Sequence, residues 1–300
     1  MNNKYKVVIV GCGVAGMTAA LYLNRAGIDC IILEKSMPGG QIVDNGNIMN
    51  FPSYESISGS DLALKMLKQI TDLGVPVKYE EVKDIKIDKE KKVITSKGEY
   101  ICDYVILATG RKPKLLGVKG EDDLRTKGIS YCAVCDGALY KNKDVVVVGA
   151  SDAAFEGAIY LSKLASTVTV LYRNEFRAKA YLQEMIKKID NISFVRGEVE
   201  SFSKDDKITI KTKEGNDIIT DGVFIYIGQI PNANFLSSLD ILDDRGYVKT
   251  DDNLMTSIDG VYAVGDALNK YDYQIVIAMG EAAKVALEIS RRWVVWIIKK

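Results

Sequence analysis

The chain has 300 residues, long for one hydrophobic core and enough for two domains. Its 40 basic and 40 acidic residues cancel to a formal net charge of zero, against a general nucleic-acid binder or anionic-membrane binder, and its 47% hydrophobic content is ordinary for a globular protein. No signal peptide is read at Met1-Asn2-Asn3-Lys4, no apolar run reaches transmembrane length, and five cysteines, an odd number, fit a reducing cytoplasm better than a disulfide scaffold.

Tyr5 to Val10 carries the β-branched run of a buried parallel strand and ends in Gly11-Cys12-Gly13-Val14-Ala15-Gly16, a G-x-G-x-x-G turn. A helix is expected from about Ala15 to Ala26, stopped by Gly27, and a second strand, Cys30 to Leu33, ends at Glu34. In that context the glycines let backbone approach a pyrophosphate at a helix N-terminus, while Glu34 accepts from a ribose hydroxyl. Pro38-Gly39-Gly40-Gln41 and Asn47-Ile48-Met49-Asn50-Phe51-Pro52 suit backbone lying against a flat polar ring, and suit a plain surface loop equally. Asp61 to Leu73 reads as an amphipathic helix ended by Gly74. Val77 to Leu107 reads as a β-meander closing on Ala108-Thr109-Gly110.

Next comes Cys132-Ala133-Val134-Cys135-Asp136, two cysteines two residues apart with a carboxylate directly after. Such a pair closes a small disulfide ring or supplies half of a zinc site. The chain has no histidine and no second C-x-x-C, so the redox reading is preferred. The nucleotide-binding pattern then recurs: strand Asp144 to Val148, turn Gly149-Ala150-Ser151-Asp152-Ala153-Ala154, helix Ala153 to Leu164, strand Thr167 to Leu171, and a meander from Ser193 to Tyr226. A further strand-turn, Gly260 to Ala267, precedes a helix from about Gln274 to Ile289. The fold class expected is α/β, with two Rossmann-like nucleotide-binding domains, each bearing a β-meander.

With these pieces in place the chain resembles the low-molecular-weight thioredoxin reductases, a family of flavoprotein disulfide reductases, over nearly its whole length. The resemblance rests on Gly11-x-Gly13-x-x-Gly16, Gly39-Gly40-Gln41, Asn50-Phe51-Pro52, Ala108-Thr109-Gly110, Cys132 to Asp136 and Gly265-Asp266-Ala267. It implies that the second domain is inserted into the first: 1–115 and 244–300 bind FAD, and 116–243 form an NADPH-binding-like domain carrying the redox disulfide. It implies hinges near Pro113 to Gly120 and Asp243 to Gly246. It places FAD on Gly11, Gly13, Val14, Ala15, Gly16, Glu34, Lys35, Gly40, Gln41, Asn50, Ala108, Thr109, Gly110, Gly265, Asp266, Gln274 and Ile275. It makes Cys135 the sulfur next to the flavin, Cys132 the thiol that attacks a thioredoxin disulfide, and Asp136 the acid. A cytoplasmic homodimer is carried over in the same way.

The second copy departs from the family. Ser151 stands where a glycine lets backbone touch the dinucleotide pyrophosphate, and Asp152 adds a negative charge beside it. The stretch that grips the NADPH 2′-phosphate aligns with Leu171 to Arg177, where only Arg173 and Arg177 are basic. These departures resemble the ferredoxin-dependent flavin thioredoxin reductases, so ferredoxin is the expected donor. The alternatives are an NADPH-dependent thioredoxin reductase or peroxiredoxin-reducing relative, and a non-catalytic flavin-binding redox sensor. Tyr273-Gln274 replaces the Arg-Gln common in the family, and its tyrosine either stacks on a flavin or fills core. The Trp293/Trp296 tail reads as apolar packing, or as a shield near the flavin. Cys12, Cys30 and Cys102 read as small buried hydrophobes.

Overall fold

A computed structural model describes residues 3–44 and 48–299, with Asp44 and 295–299 described in backbone only. Asn47, Lys300 and the side chain of Trp296 therefore lie outside the described residues. The chain forms two compact units: Met1–Val43, Ser58–Lys112 and Ile230–Lys300, and Asp44–Ile57 with Pro113–Gln229.

The first unit begins β1 (Lys4–Val10), α1 (Val14–Arg25), β2 (Cys30–Glu34), α2 (Gly59–Asp72), β3 (Val77–Tyr79), β4 (Val82–Ile87), β5 (Lys91–Thr95) and β6 (Glu99–Leu107). Ser58 starts α2 by accepting the Asp61 N–H at 3.0 Å. The expected meander is shorter than its sequence range, because β3 joins β2 in parallel, with Ile32 opposite Val77. Only β4, β5 and the start of β6 form the antiparallel excursion. Hydrophobicity alone does not distinguish a parallel edge strand from a meander strand.

The chain then follows β7 (Arg111–Pro113) into the second unit: α3 (Glu121–Leu124), β8 (Ile129–Ser130), α4 (Ala133–Asp136), β9 (Asp144–Val148), α5 (Asp152–Ser162), β10 (Thr167–Tyr172), α6 (Ala180–Ile186), β11 (Ile192–Arg196), β12 (Val199–Lys204), β13 (Ile208–Thr212), β14 (Asp217–Thr220) and β15 (Gly222–Ile225). It returns along β16 (Gln229–Pro231) to β17 (Val261–Ala263) and α7 (Ile275–Lys299).

In the first unit the parallel strands run β3-β2-β1-β6, and β17 lies beside the end of β6. In the second the order is β11-β10-β9-β15-β8, all parallel, with β12-β13-β14 as a separate meander. The fifth strand of the second copy is thus β8, which precedes its unit's glycine turn, whereas β17 follows every other strand of the first. Alternation puts Val7 and Ile9 in one core and Val8 and Val10 in the other, so the β1 sheet is covered on both faces. Val145 and Val147 likewise oppose Val146 and Val148.

Two boundary expectations are corrected. Residues 230–243, assigned in advance to the inserted domain, pack with the first unit: Ala233, Leu236 and Ile241 share a core with Val8 and Val10. Asp243 to Gly246 is not a crossing but a turn inside that unit, where Asp243 Oδ1 accepts the Arg245 and Tyr247 N–H groups. Helix α7 also runs ten residues past the expected Ile289. No glycine or proline follows Ile289 to stop it, and Glu288 accepts from both Arg291 and Arg292. Among the described residues no helix is long and apolar enough to cross a membrane.

Candidate functional site

The first unit gathers most of the candidate cofactor residues at the carboxyl ends of β1, β2, β6 and β17. Gly11 takes φ +107°, and a Cβ there would lie 2.4 Å from the Ala108 carbonyl oxygen. A Cβ on Gly16 would meet the Gly11 oxygen at 2.0 Å, so α1 approaches its strand as only glycine permits. Gly13 is different: as N-cap of α1 it has room for a Cβ, its nearest neighbours being Gly39 O at 3.9 Å and Gly40 Cα at 4.0 Å. Gly39 N–H donates to the Cys12 carbonyl at 2.8 Å, so the Pro38–Gly40 loop lies on the glycine turn. Gln41 donates to the Arg111 carbonyl.

Glu34 ends β2 with one carboxylate oxygen accepting the Cys12 N–H at 2.7 Å and the other accepting the Ser36 N–H at 2.9 Å. Burial, and the Glu34 charge after it, push the Cys12 thiol up to about 12, so it stays protonated and inert. Gly265, at φ +67°, brings its turn against α1 and α7: a Cβ would lie 3.2 Å from that of Ala15 and 3.4 Å from that of Ala278. The Gly265 N–H donates to Glu281, which also takes the Lys270 ammonium at 2.7 Å. Asp266 faces Arg111 across 3.4 Å, and burial raises its carboxyl, with Arg111 and Lys270 opposing. The Arg111 guanidinium lies 3.3 Å above the Tyr273 ring centre, so that ring packs on a cation of its own chain.

These residues fit an FAD. The first turn of α1 carries no acidic side chain, Gly13 leaves its N-terminus open, and Thr109 Oγ1 is buried with no hydrogen-bond partner among the described residues. Gln274 and Ile275 stand at the start of α7. Lys35 is exposed just past β2, and Asn50 falls in the segment that groups with the second unit. Trp293 belongs to the first core with its ring 3.7 Å from the Lys6 ammonium, toward the start of β1 and away from the Gly11 end. That favours packing over a role beside the cofactor.

In the second unit Cys132 and Cys135 are joined as a disulfide at the end of β8. Cys132 is the N-cap of the one-turn α4, and its sulfur accepts the Cys135 N–H at 3.2 Å. The Ala133 N–H donates to the Tyr226 hydroxyl at 2.7 Å. Asp136 is largely buried, which raises its carboxyl, while a 2.6 Å hydrogen bond from Ser130 opposes the shift. Tyr131 is held by Glu121, a buried carboxylate that also takes the Leu116 and Gly117 N–H groups. Cys12, Cys30 and Cys102 are buried free thiols.

Ser130, Tyr226 and Glu121 were missed from sequence. A serine two residues before a C-x-x-C was a visible signal for the first, and none marked Tyr226.

The second glycine turn is built unlike the first. Gly149 keeps φ +146° under the Tyr226 carbonyl, but Ser151 is the N-cap of α5 and Asp152 occupies its first turn. Asp152 accepts the Lys179 N–H at 2.8 Å and pairs with its ammonium at 3.4 Å. The Arg177 and Ala178 N–H groups both donate to the Ala150 carbonyl.

Residues 5–285 match the pyridine nucleotide-disulphide oxidoreductases. The chain is 40% identical over 287 residues to a thioredoxin reductase of Listeria monocytogenes, covering 92% of this chain and 90% of that one. It is 38% identical to that of Bacillus subtilis, covering 95% and 94%. The crystal structure of a thioredoxin reductase from Streptococcus pyogenes superposes with a TM-score of 0.92 at 38% identity, covering 97% of this chain and 98% of that one. The chain belongs to the pyridine nucleotide-disulphide oxidoreductase family, among its low-molecular-weight thioredoxin reductases.

Proposed function

We propose that this chain is a flavin-dependent thioredoxin reductase whose working disulfide is Cys132–Cys135 and whose electron donor is reduced ferredoxin. The disulfide ring beside a buried Asp136, whose carboxyl burial raises, is the observation that carries the reading. Gly11, Gly13, Val14, Ala15 and Gly16 would hold the pyrophosphate of FAD, Glu34 a ribose, and Thr109, Asp266, Gln274 and Ile275 the rest of the cofactor. When bound, FAD takes up electrons singly or in pairs and passes pairs to a disulfide.

The chain's own residues do the remainder. Two electrons and two protons open Cys132–Cys135 to a dithiol. The Cys132 thiolate attacks one sulfur of the thioredoxin disulfide, forming a mixed disulfide and releasing the other sulfur as a thiolate that takes a proton from Asp136. Cys135 then attacks Cys132, restoring the enzyme disulfide and freeing the second thioredoxin sulfur as a thiolate, which takes up from solvent the proton that Cys132 released on ionising, while the Cys135 proton replenishes Asp136. Backbone amides of α4 at Ala133 and Cys135 hold the ring in place through Tyr226 and Cys132.

The donor assignment is supported by Ser151 and Asp152, which put a side chain and a negative charge where α1 of the first unit has neither. The family's pyridine-nucleotide name favours NADPH as the rival donor. One anaerobic experiment decides: the FAD-loaded protein is mixed with thioredoxin and with either NADPH or reduced ferredoxin. Turnover with ferredoxin and an unbleached flavin with NADPH is the expected result. Rapid bleaching by stoichiometric NADPH overturns the donor assignment. No thioredoxin reduction from either source overturns the enzyme reading in favour of a redox sensor.

A further inference from the structure

The Asp136 carboxyl is held asymmetrically. Ser130 donates its hydroxyl proton to Oδ2 at 2.6 Å and accepts the Cys132 N–H at 3.1 Å. The other acceptor in reach of that hydroxyl, the Cys132 carbonyl, is 3.4 Å away and already receives the Asp136 N–H at 3.1 Å. Asp136 Oδ1 is buried with no hydrogen-bond partner among the described residues. A buried oxygen without a partner is costly unless its partner appears in another state of the molecule.

We propose that Ser130 is a positioning residue that engages Oδ2 as an acceptor and thereby places the exchangeable proton of Asp136 on Oδ1, the oxygen left to trade it with the thiols formed when the disulfide opens. The proposal deepens the reading of Asp136 as the acid and rests on it. The exchange balances: Oδ1–H gives its proton to a released thiolate, leaving a carboxylate, and a proton from the Cys135 thiol returns to Oδ1 as that sulfur attacks Cys132. Ser130 stays bonded to Oδ2 throughout, so the carboxyl does not rotate between giving and receiving.

Other titratable groups face the same carboxyl without competing for that proton. Tyr140, of the turn after α4, is pushed up to about 12 by burial and then by the Asp136 charge, and Tyr226 to about 12 by burial, with the Ala133 N–H opposing and the Asp136 charge adding, so both remain neutral phenols near neutrality. Behind them lie Asp221 for Tyr140 and Glu156 of α5 for Tyr226. The Ser130 bond favours the charged form of Asp136, so removing it should move the titration upward.

The test is infrared difference spectroscopy of the full-length protein poised oxidised and reduced with dithiothreitol, which needs neither ferredoxin nor thioredoxin. A protonated-carboxyl stretch absent from Asp136→Asn identifies the group. Its titration midpoint should move to higher pH in Ser130→Ala and stay in place in Ser130→Thr, which keeps the hydroxyl. An unmoved or lowered midpoint in a folded Ser130→Ala overturns the proposal. Should the alanine variant not fold, the unmodified protein decides. A stretch lowered to the frequency of a hydrogen-bonded carbonyl supports Oδ2 as acceptor, and one at the free-carbonyl frequency overturns it. A titration that behaves as expected beside absent thioredoxin turnover would sink the enzyme reading and leave this one standing.

Discussion

Asp136 links the chemistry of the disulfide turn to the stability of the fold. Burial raises its carboxyl in the folded state, so the native protein binds that proton more tightly than the unfolded chain does. The contribution is therefore complete below the ordinary carboxylate value and is lost as pH rises through the raised one. Asp136→Asn should be less sensitive to rising pH than the parent in urea-melting midpoints, while losing roughly 10²-fold in thioredoxin reduction as a missing acid would. Equal pH dependence in the two proteins would contradict the burial argument. Tyr262 offers a second case: its hydroxyl is buried with no partner among the described residues, so Tyr262→Phe should raise stability by about 1 kcal/mol in the same assay. At this scale the sequence displayed the sulfurs, Asp136 and Glu34, because spacing and strand ends mark them. It could not display the Tyr226 hydroxyl on the Ala133 amide, which joins residues 93 positions apart.

Between elements, α5 and the disulfide turn are coupled through Tyr226. A Cβ on Gly157 would lie 2.9–3.1 Å from two ring carbons and the hydroxyl oxygen of that tyrosine. Gly157→Ala should therefore cost about 1–3 kcal/mol as an overpacked core, and displace the hydroxyl that takes the Ala133 N–H. The check is a lowered melting temperature together with faster alkylation of the reduced cysteines. Were the variant as stable and as slow to alkylate as the parent, the ring would have to yield freely. Most elements were legible from hydrophobic period and glycine stops. Their partners were not: β3 and β11 read as meander strands, yet each closes a parallel sheet, because a short apolar run carries no direction. Helix α7 outran its expected end because nothing in its sequence stops it.

Across the whole molecule the two units differ in how their cores are assembled. Both clusters of the second unit draw only on residues between Leu116 and Ile227. Those of the first combine residues up to Ala108 with residues from Ala233 onward. A fragment spanning 113–229 should thus melt cooperatively and form its disulfide, whereas 1–112 alone should lack a folding transition. Circular dichroism of the two fragments distinguishes this from a chain that folds only as a unit. The repeat itself was readable, since strand, glycine turn and helix recur. The return point was not: Ile227 to Pro231 echoes Thr109 to Pro113 without marking a boundary, and residues 232–243 declare their unit only by burial.

The placement of β8 has a last consequence. It pairs with its sheet at two residue positions only, Ile129 beside Val223 and Ser130 beside Phe224, and among the described residues no further strand flanks it, its one other bridge being Arg125 to Ile129. Amide exchange should accordingly begin there, well before β9 or β15 gives way. The sulfur ring thus hangs from a thinly paired margin and is anchored to the interior chiefly through Ala133, whose side chain is buried in the core and whose N–H meets Tyr226.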